Sequence, residues 1–92
     1  MTPSTSNTLT DQHHDLLRGI VVEVLEIEDG ELAETDSLVD VHGADSLLAI
    51  EILARIERDL SIDVPQAELL EMVTLEGIYT VVARHVAEGR NA

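Results

Sequence analysis

The sequence predicts an all-α fold, an antiparallel four-helix bundle with three long helices, one short third helix, and a long loop between helices one and two. Three observations carry this expectation. Apolar residues make up 45% of the chain and recur at the spacing of a helix face rather than alternating as in a half-buried strand. Residues that favour helix starts and stops bracket those stretches. The only candidate strand, Ser61-Ile62-Asp63-Val64-Pro65, is too short to pair in so helical a chain. With 92 residues there is room for one core and no more. Tyr79 is the single aromatic residue, so that core must be built from Leu, Ile, Val and Ala.

The opening Met1 to Thr10 is rich in small polar residues and without periodicity. It is expected to be a flexible tail, residues 1–10, ahead of a domain over 11–89 and a C-terminal tail over 90–92. From Asp11 the pattern changes. At about 100° per residue, Leu17, Ile20, Val21 and Val24 share one face of a first helix that should run to Leu25. Glu28-Asp29-Gly30 then breaks the pattern, and turn residues with scattered Leu and Val fill the stretch to Asp40. Loops of that length in a small domain usually serve a purpose.

The second helix is expected to begin at Asp45-Ser46, two good N-terminal residues after Gly43-Ala44, and to end near Leu60. Pro65 suits the first turn of the short third helix, over Gln66 to Leu70. Thr74 reads as the N-cap of the fourth, which tolerates Gly77 inside it, places Leu75, Ile78, Tyr79, Val82 and Val86 on one face, and ends near Ala87.

Charge narrows the function classes. Nineteen acidic residues face five basic ones, all Arg, for a net charge of −14. Nucleic-acid binding needs clustered bases and is not expected. A polar N-terminus and the lack of a long apolar run argue against a signal peptide or a membrane span and for a cytoplasmic protein. The absence of cysteine removes disulfides, thiolate metal sites and cysteine nucleophiles together. So short a chain also excludes a hydrolase, a dehydrogenase or a kinase.

The second helix has two apolar faces. Ala49, Ile52, Leu53, Ile56 and Leu60 cluster within about 100° and should be buried. Leu47, Ile50 and Ala54 lie on another flank, interleaved with Glu51, Glu57 and Arg58. Exposed apolar residues are common, but an apolar strip rimmed by carboxylates beside a helix start also suits transient docking onto a basic surface.

Other chemistries fail on spacing. Ser46 has Asp45 and His42 nearby, yet a nucleophile elbow needs glycine two residues either side of the serine, and here Gly43 is three before and Leu48 is two after. His13 and His14 point in different directions on a helix, and with His85 they give no metal-ligand spacing. All three are expected to face solvent or sit at helix ends. The acidic stretch Glu26 to Asp36 contains Gly30, but Leu25 stands where a calcium loop needs its first Asp.

Taken together, Asp36-Ser37-Leu38-Val39, Gly43-Ala44-Asp45-Ser46-Leu47, Ile50-Glu51-Ile52, Ile62-Asp63-Val64-Pro65 and Thr74-Leu75 resemble the acyl carrier protein family from about Asp11 to Ala87. The resemblance implies a non-catalytic carrier. Ser46 would bear a covalent 4'-phosphopantetheine, derived from coenzyme A and attached by a phosphopantetheinyl transferase. A phosphodiester there would sit at a helix N-terminus, where unpaired N–H groups and roughly half a positive charge favour anions. The implied docking surface is Asp45, Leu47, Ile50, Glu51, Ala54 and Glu57, and the implied partners are an acyltransferase or other acyl-loading enzyme and a ketosynthase or other synthase enzymes, met by a monomer. His42 stands where an apolar residue is usual in the family, and Arg55 and Arg58 interrupt a helix that is nearly all acidic in fatty-acid carriers. Gly43-Ala44, in place of the Gly-Gly of peptidyl carriers, favours an acyl or polyketide carrier, and the polar tail, all-Arg base usage and mixed-charge second helix resemble free-standing carriers of polyketide pathways. The alternatives are a peptidyl or aminoacyl carrier of a nonribosomal pathway and an acidic helical adaptor without a prosthetic group.

Overall fold

The computed structural model describes residues 9–90, and its regular structure is helical throughout them: α1 (Asp11–Leu25), α2 (Ser46–Leu60) and α3 (Leu75–Arg90), with 3₁₀ segments at Asp29–Glu31 and Gln66–Glu71. The short third helix of the expected bundle is the second of these, tighter than an α-helix and one residue longer at its end than the sequence suggests. Residues 1–8 of the expected N-terminal tail and residues 91–92 lie outside the described residues. Leu9 is buried and Thr10 caps α1, so both belong to the folded unit and not to the expected N-terminal tail.

Each long helix starts on a side-chain cap. Thr10 Oγ1 accepts from the His13 amide at 3.1 Å, and His13 Nδ1 accepts from the Thr10 amide at 3.1 Å, a capping box with imidazole in place of the usual carboxylate. Asp45 caps α2 and Thr74 caps α3, the latter through Gly77 N–H to Oγ1 at 2.9 Å. Both α1 and α2 end on a non-glycine residue in the left-handed region, Glu26 (φ 58°) and Ser61 (φ 55°).

Leu17 and Val21 of α1, Ile56 of α2, and Leu75, Ile78, Val81 and Val82 of α3 are fully buried. Burying each such side chain stabilises the fold by about 1.5–3 kcal/mol. The core is aliphatic. Tyr79 is half-buried at its edge, its ring 4.3 Å from that of His14. α1 packs on both α2 and α3, and the Gln66–Glu71 segment packs on the same two helices.

That segment is held tightly against α3. A Cβ on Gly77 would lie 2.1 Å from the carbonyl oxygen of Glu71, so Gly77 is required by close approach rather than merely tolerated. Arg84 pairs with Glu68 at 2.9 Å and with Glu71 at 3.2 Å, and His85 Nε2 lies 2.9 Å from the Glu68 carboxylate. The expectation that His85 faces solvent is therefore corrected: it is half-buried because it joins two elements. His14 is likewise half-buried, against Tyr79, while His13 sits at a helix end as expected.

The long loop is anchored rather than loose. Leu32 and Leu38 enter the core, and Arg18 of α1 binds the Asp29 carboxylate at 3.0 Å and the Leu32 carbonyl. The loop also joins the start of α3, through Leu38 N–H to the Val73 carbonyl at 2.9 Å and Glu76 N–H to the Glu34 carbonyl at 3.0 Å.

Candidate functional site

Every feature that gathers at Ser46 follows from the way the chain enters α2. Gly43 has a φ of +71°, a conformation that residues with a side chain rarely adopt, and it turns the loop into the helix. A Cβ built on it meets nothing within 4 Å, so backbone angle and not crowding calls for glycine. Asp45 is extended and caps the helix, Oδ1 accepting from Leu48 N–H at 3.0 Å, while its carbonyl accepts from Ala49 N–H at 3.0 Å. Ser46 follows as the first helical residue and is exposed. Among the described residues no acceptor pairs with the Ser46 and Leu47 amides, which leaves the positive end of the helix available to an anion at the Ser46 hydroxyl.

Beside Ser46 opens a cavity of about 410 Å³. Its walls come from the loop, from α2, from the Gln66–Glu71 region and from α3, and include Leu38, Ala49, Ile52, Leu69, Met72 and Ile78. The lining is mostly aliphatic, with Asp45, Ser46 and Gln66 contributing the polar side chains. α1 and the Gln66–Glu71 segment each contact both α2 and α3.

The second apolar flank of α2 is at the surface. Leu47 is 73% exposed, Ile50, Glu51 and Ala54 are exposed, and Asp45 is exposed at the helix start. Ile52, Leu53 and Ile56 are buried, with Ala49 and Leu60 partly so, as the wheel separates them. Glu57 departs from the strip. It is half-buried, and its Oε2 accepts from Val64 N–H at 2.9 Å, bracing the turn after α2. Arg55 and Arg58 do not create a basic surface, because Arg55 pairs with Glu23 and Glu51 and Arg58 with Asp59.

Helix periodicity missed part of this surface. Val39 and Val41 on the loop, Leu70 in the Gln66–Glu71 segment and Val73 after it are exposed large apolar residues, and Val39, Leu70 and Val73 line the same cavity as Ser46. The only signal for them was the presence of apolar residues where no period demands them. His42 was also unplaced by sequence. Its Nε2 lies 3.1 Å from Asp36 Oδ2, so it is engaged away from Asp45 and Ser46, in keeping with the rejection of a hydrolase triad. The Asp36 carboxyl is held below the ordinary carboxylate range, first by the hydrogen bond from the Ala33 amide and then by the one to His42. Among the described residues no group of three or more His, Asp or Glu side chains is placed to hold a metal ion, and no helix is long and apolar enough to cross a membrane.

Comparison with known proteins agrees with this geometry. The family profile described as "Phosphopantetheine attachment site" matches residues 15–82, more than half of the chain. Polyketide-8 synthase acyl carrier protein 1 of Streptomyces avermitilis is 49% identical over 67 residues, covering 73% of this chain and 80% of that protein. Polyketide-8 synthase acyl carrier protein 2 of the same organism is 28% identical over 88 residues, covering 96% of this chain and 99% of that one. A stretch amounting to 2% of the non-reducing polyketide synthase sor2 of Hypocrea jecorina is 36% identical over 62 residues.

Proposed function

The chain belongs to the phosphopantetheine attachment site family, whose members are non-catalytic carriers of a covalent 4'-phosphopantetheine, and from that premise we propose that Ser46 is the attachment point and that the carrier serves polyketide assembly. The observation that carries the assignment is an exposed hydroxyl on the first residue of α2, beside two helix-start amides without a protein acceptor and at the mouth of an apolar cavity. Those residues fit the group. The amides and the helix dipole favour a phosphodiester at that hydroxyl, and Gly43 leaves the approach open.

A phosphopantetheinyl transferase supplies coenzyme A as co-reactant. Ser46 Oγ attacks the phosphorus next to the pantetheine, the new O–P bond forms, the P–O bond to 3',5'-ADP breaks, and the hydroxyl proton passes to a base on the transferase. The attached arm supplies a terminal thiol that carries an acyl group as a thioester, and since the chain has no cysteine it offers no competing thiol. The cavity walls give that cargo an aliphatic surface beside its tether.

Loading and synthase enzymes, an acyltransferase and a ketosynthase among them, would read the exposed flank of α2, Asp45, Leu47, Ile50, Glu51 and Ala54. Carboxylates there set the encounter rate and the apolar side chains set register. Glu57 contributes from behind, by fixing the end of the helix. The polyketide assignment is supported by the two carriers of Streptomyces avermitilis and by Gly43-Ala44. Family membership removes the ground for an adaptor without a prosthetic group.

The test is intact mass after incubation with coenzyme A and a broad-specificity transferase. Wild type should gain one phosphopantetheine, and Ser46→Ala should gain none while melting as wild type does. Modification of Ser46→Ala would overturn the assignment.

A further inference from the structure

The loop that delivers Ser46 has a polar fastening that its periodicity does not reveal. Asp36 stands at one end of the loop and His42 at the other, immediately before Gly43, and their side chains meet at 3.1 Å. The His42 side chain is only 8% exposed and that of Asp36 26%, so the bond is partly shielded from water. The Asp36 carboxylate also accepts from Ala33 N–H at 3.1 Å, which ties the fastening to the preceding turn. Between the two ends, Val39 and Val41 are exposed and contribute no core packing. Leu38 alone ties this stretch to the rest of the fold, through its buried side chain and its N–H to the Val73 carbonyl, and the other ties are local: Asp40 N–H to Ser37 Oγ, Val41 N–H to the Ser37 carbonyl, Gly43 N–H to the Val39 carbonyl, and Ala44 N–H to the Leu38 carbonyl.

We infer that His42, through its hydrogen bond to Asp36, is a positioning residue for the reaction at Ser46, holding the 36–43 loop in the shape that a transferase meets. This rests on Ser46 being the attachment point. His42 touches no reacting atom. Its effect is to close the loop before the enzyme arrives, so that less ordering is left to the moment of binding. If breaking the bond leaves about a tenth of molecules in the competent loop shape, the apparent affinity for the enzyme falls about tenfold and the bound complex is unchanged. A residue needed only for folding would instead lower the melting temperature and leave the kinetic constants of the folded fraction alone.

The experiment measures initial rates of phosphopantetheine transfer from saturating coenzyme A to the full chain over a range of carrier concentrations. His42→Leu, His42→Asn, His42→Gln and Ser46→Ala are compared with wild type, each with its thermal melt. Gln carries its amide nitrogen where imidazole carries Nε2 and can still reach Asp36, whereas Asn is one methylene too short. His42→Leu and His42→Asn should raise the KM for the carrier about tenfold with kcat within about twofold of wild type, and His42→Gln should restore KM to within about twofold. If Leu disturbs the packing, the Asn and Gln pair decides alone. A wild-type KM in His42→Asn, or equal impairment in Asn and Gln, would overturn the positioning role with Ser46 still assigned. Transfer to Ser46→Ala would overturn the attachment site, and the inference with it.

Discussion

The tripeptide Asp-Ser-Leu occurs in this chain as Asp36-Ser37-Leu38 and again as Asp45-Ser46-Leu47, and the fold turns the two copies in opposite directions. In the first, Leu38 is 4% exposed, Ser37 Oγ accepts from Asp40 N–H at 3.0 Å, and Asp36 binds Ala33 and His42. In the second, Leu47 is 73% exposed, Ser46 is exposed, and Asp45 caps a helix. Composition cannot separate the copies, since they are identical. What separates them is the next residues: Val39-Asp40-Val41 continues a loop, whereas Leu48-Ala49-Ile50 continues into α2. A helix start turns the serine outwards beside unpaired amides, while a turn consumes its hydroxyl in holding backbone. The same chemistry is therefore structural at one site and available for modification at the other.

Swapping the leucines gives the largest contrast. Leu38→Ala should cost about 2–5 kcal/mol and lower Tm by roughly 10 °C or more, whereas Leu47→Ala should stay within about 0.5 kcal/mol yet slow turnover by synthase partners. Thermal melts and partner kinetics on both variants check it, and equal destabilisation would erase the distinction. The aspartates come next. Asp45→Ala removes the α2 cap and should cost about 1 kcal/mol, read as a lower denaturation midpoint and reduced helicity at the start of α2.

Asp36 differs in its pH dependence. Its folded pKa is depressed, chiefly by the Ala33 amide and then by His42. Its contribution to stability is therefore present above the unfolded value of about 3.9 and is lost as pH falls through the lower folded value. The stability gap between wild type and Asp36→Asn should be open at neutral pH and close below about pH 4, and a gap that persists into acid would contradict the paired carboxylate. The smallest expected effect on folding is at the exposed flank. Glu51→Arg should leave Tm nearly unchanged and reduce partner turnover, and the wild-type rate should itself fall with added salt.

Local chemistry explains which parts of this were legible in the sequence. The start of α2 at Asp45-Ser46 and its division into a buried and an exposed face follow from a cap residue and a 3.6-residue period, both short-range. The fastening of His42 to Asp36 and of His85 to Glu68 depends on which segments the fold brings together, and no periodicity encodes that. Glu26 and Ser61 end their helices with positive φ where a glycine would have announced the turn. Gly77 read as a residue merely tolerated in a helix, because the carbonyl of Glu71 that it must admit belongs to another element. The cavity beside Ser46 was out of reach for the same reason, since its walls come from the loop, α2, the Gln66–Glu71 segment and α3, which only the fold brings together.

The two Asp-Ser-Leu copies also supply the most direct measurement. The wild-type chain, modified with coenzyme A and a transferase and then digested, can be fragmented by tandem mass spectrometry to locate the phosphopantetheine. The account predicts the added mass on Ser46 with Ser37 unmodified, and an added mass on Ser37, or on any other hydroxyl, would contradict it.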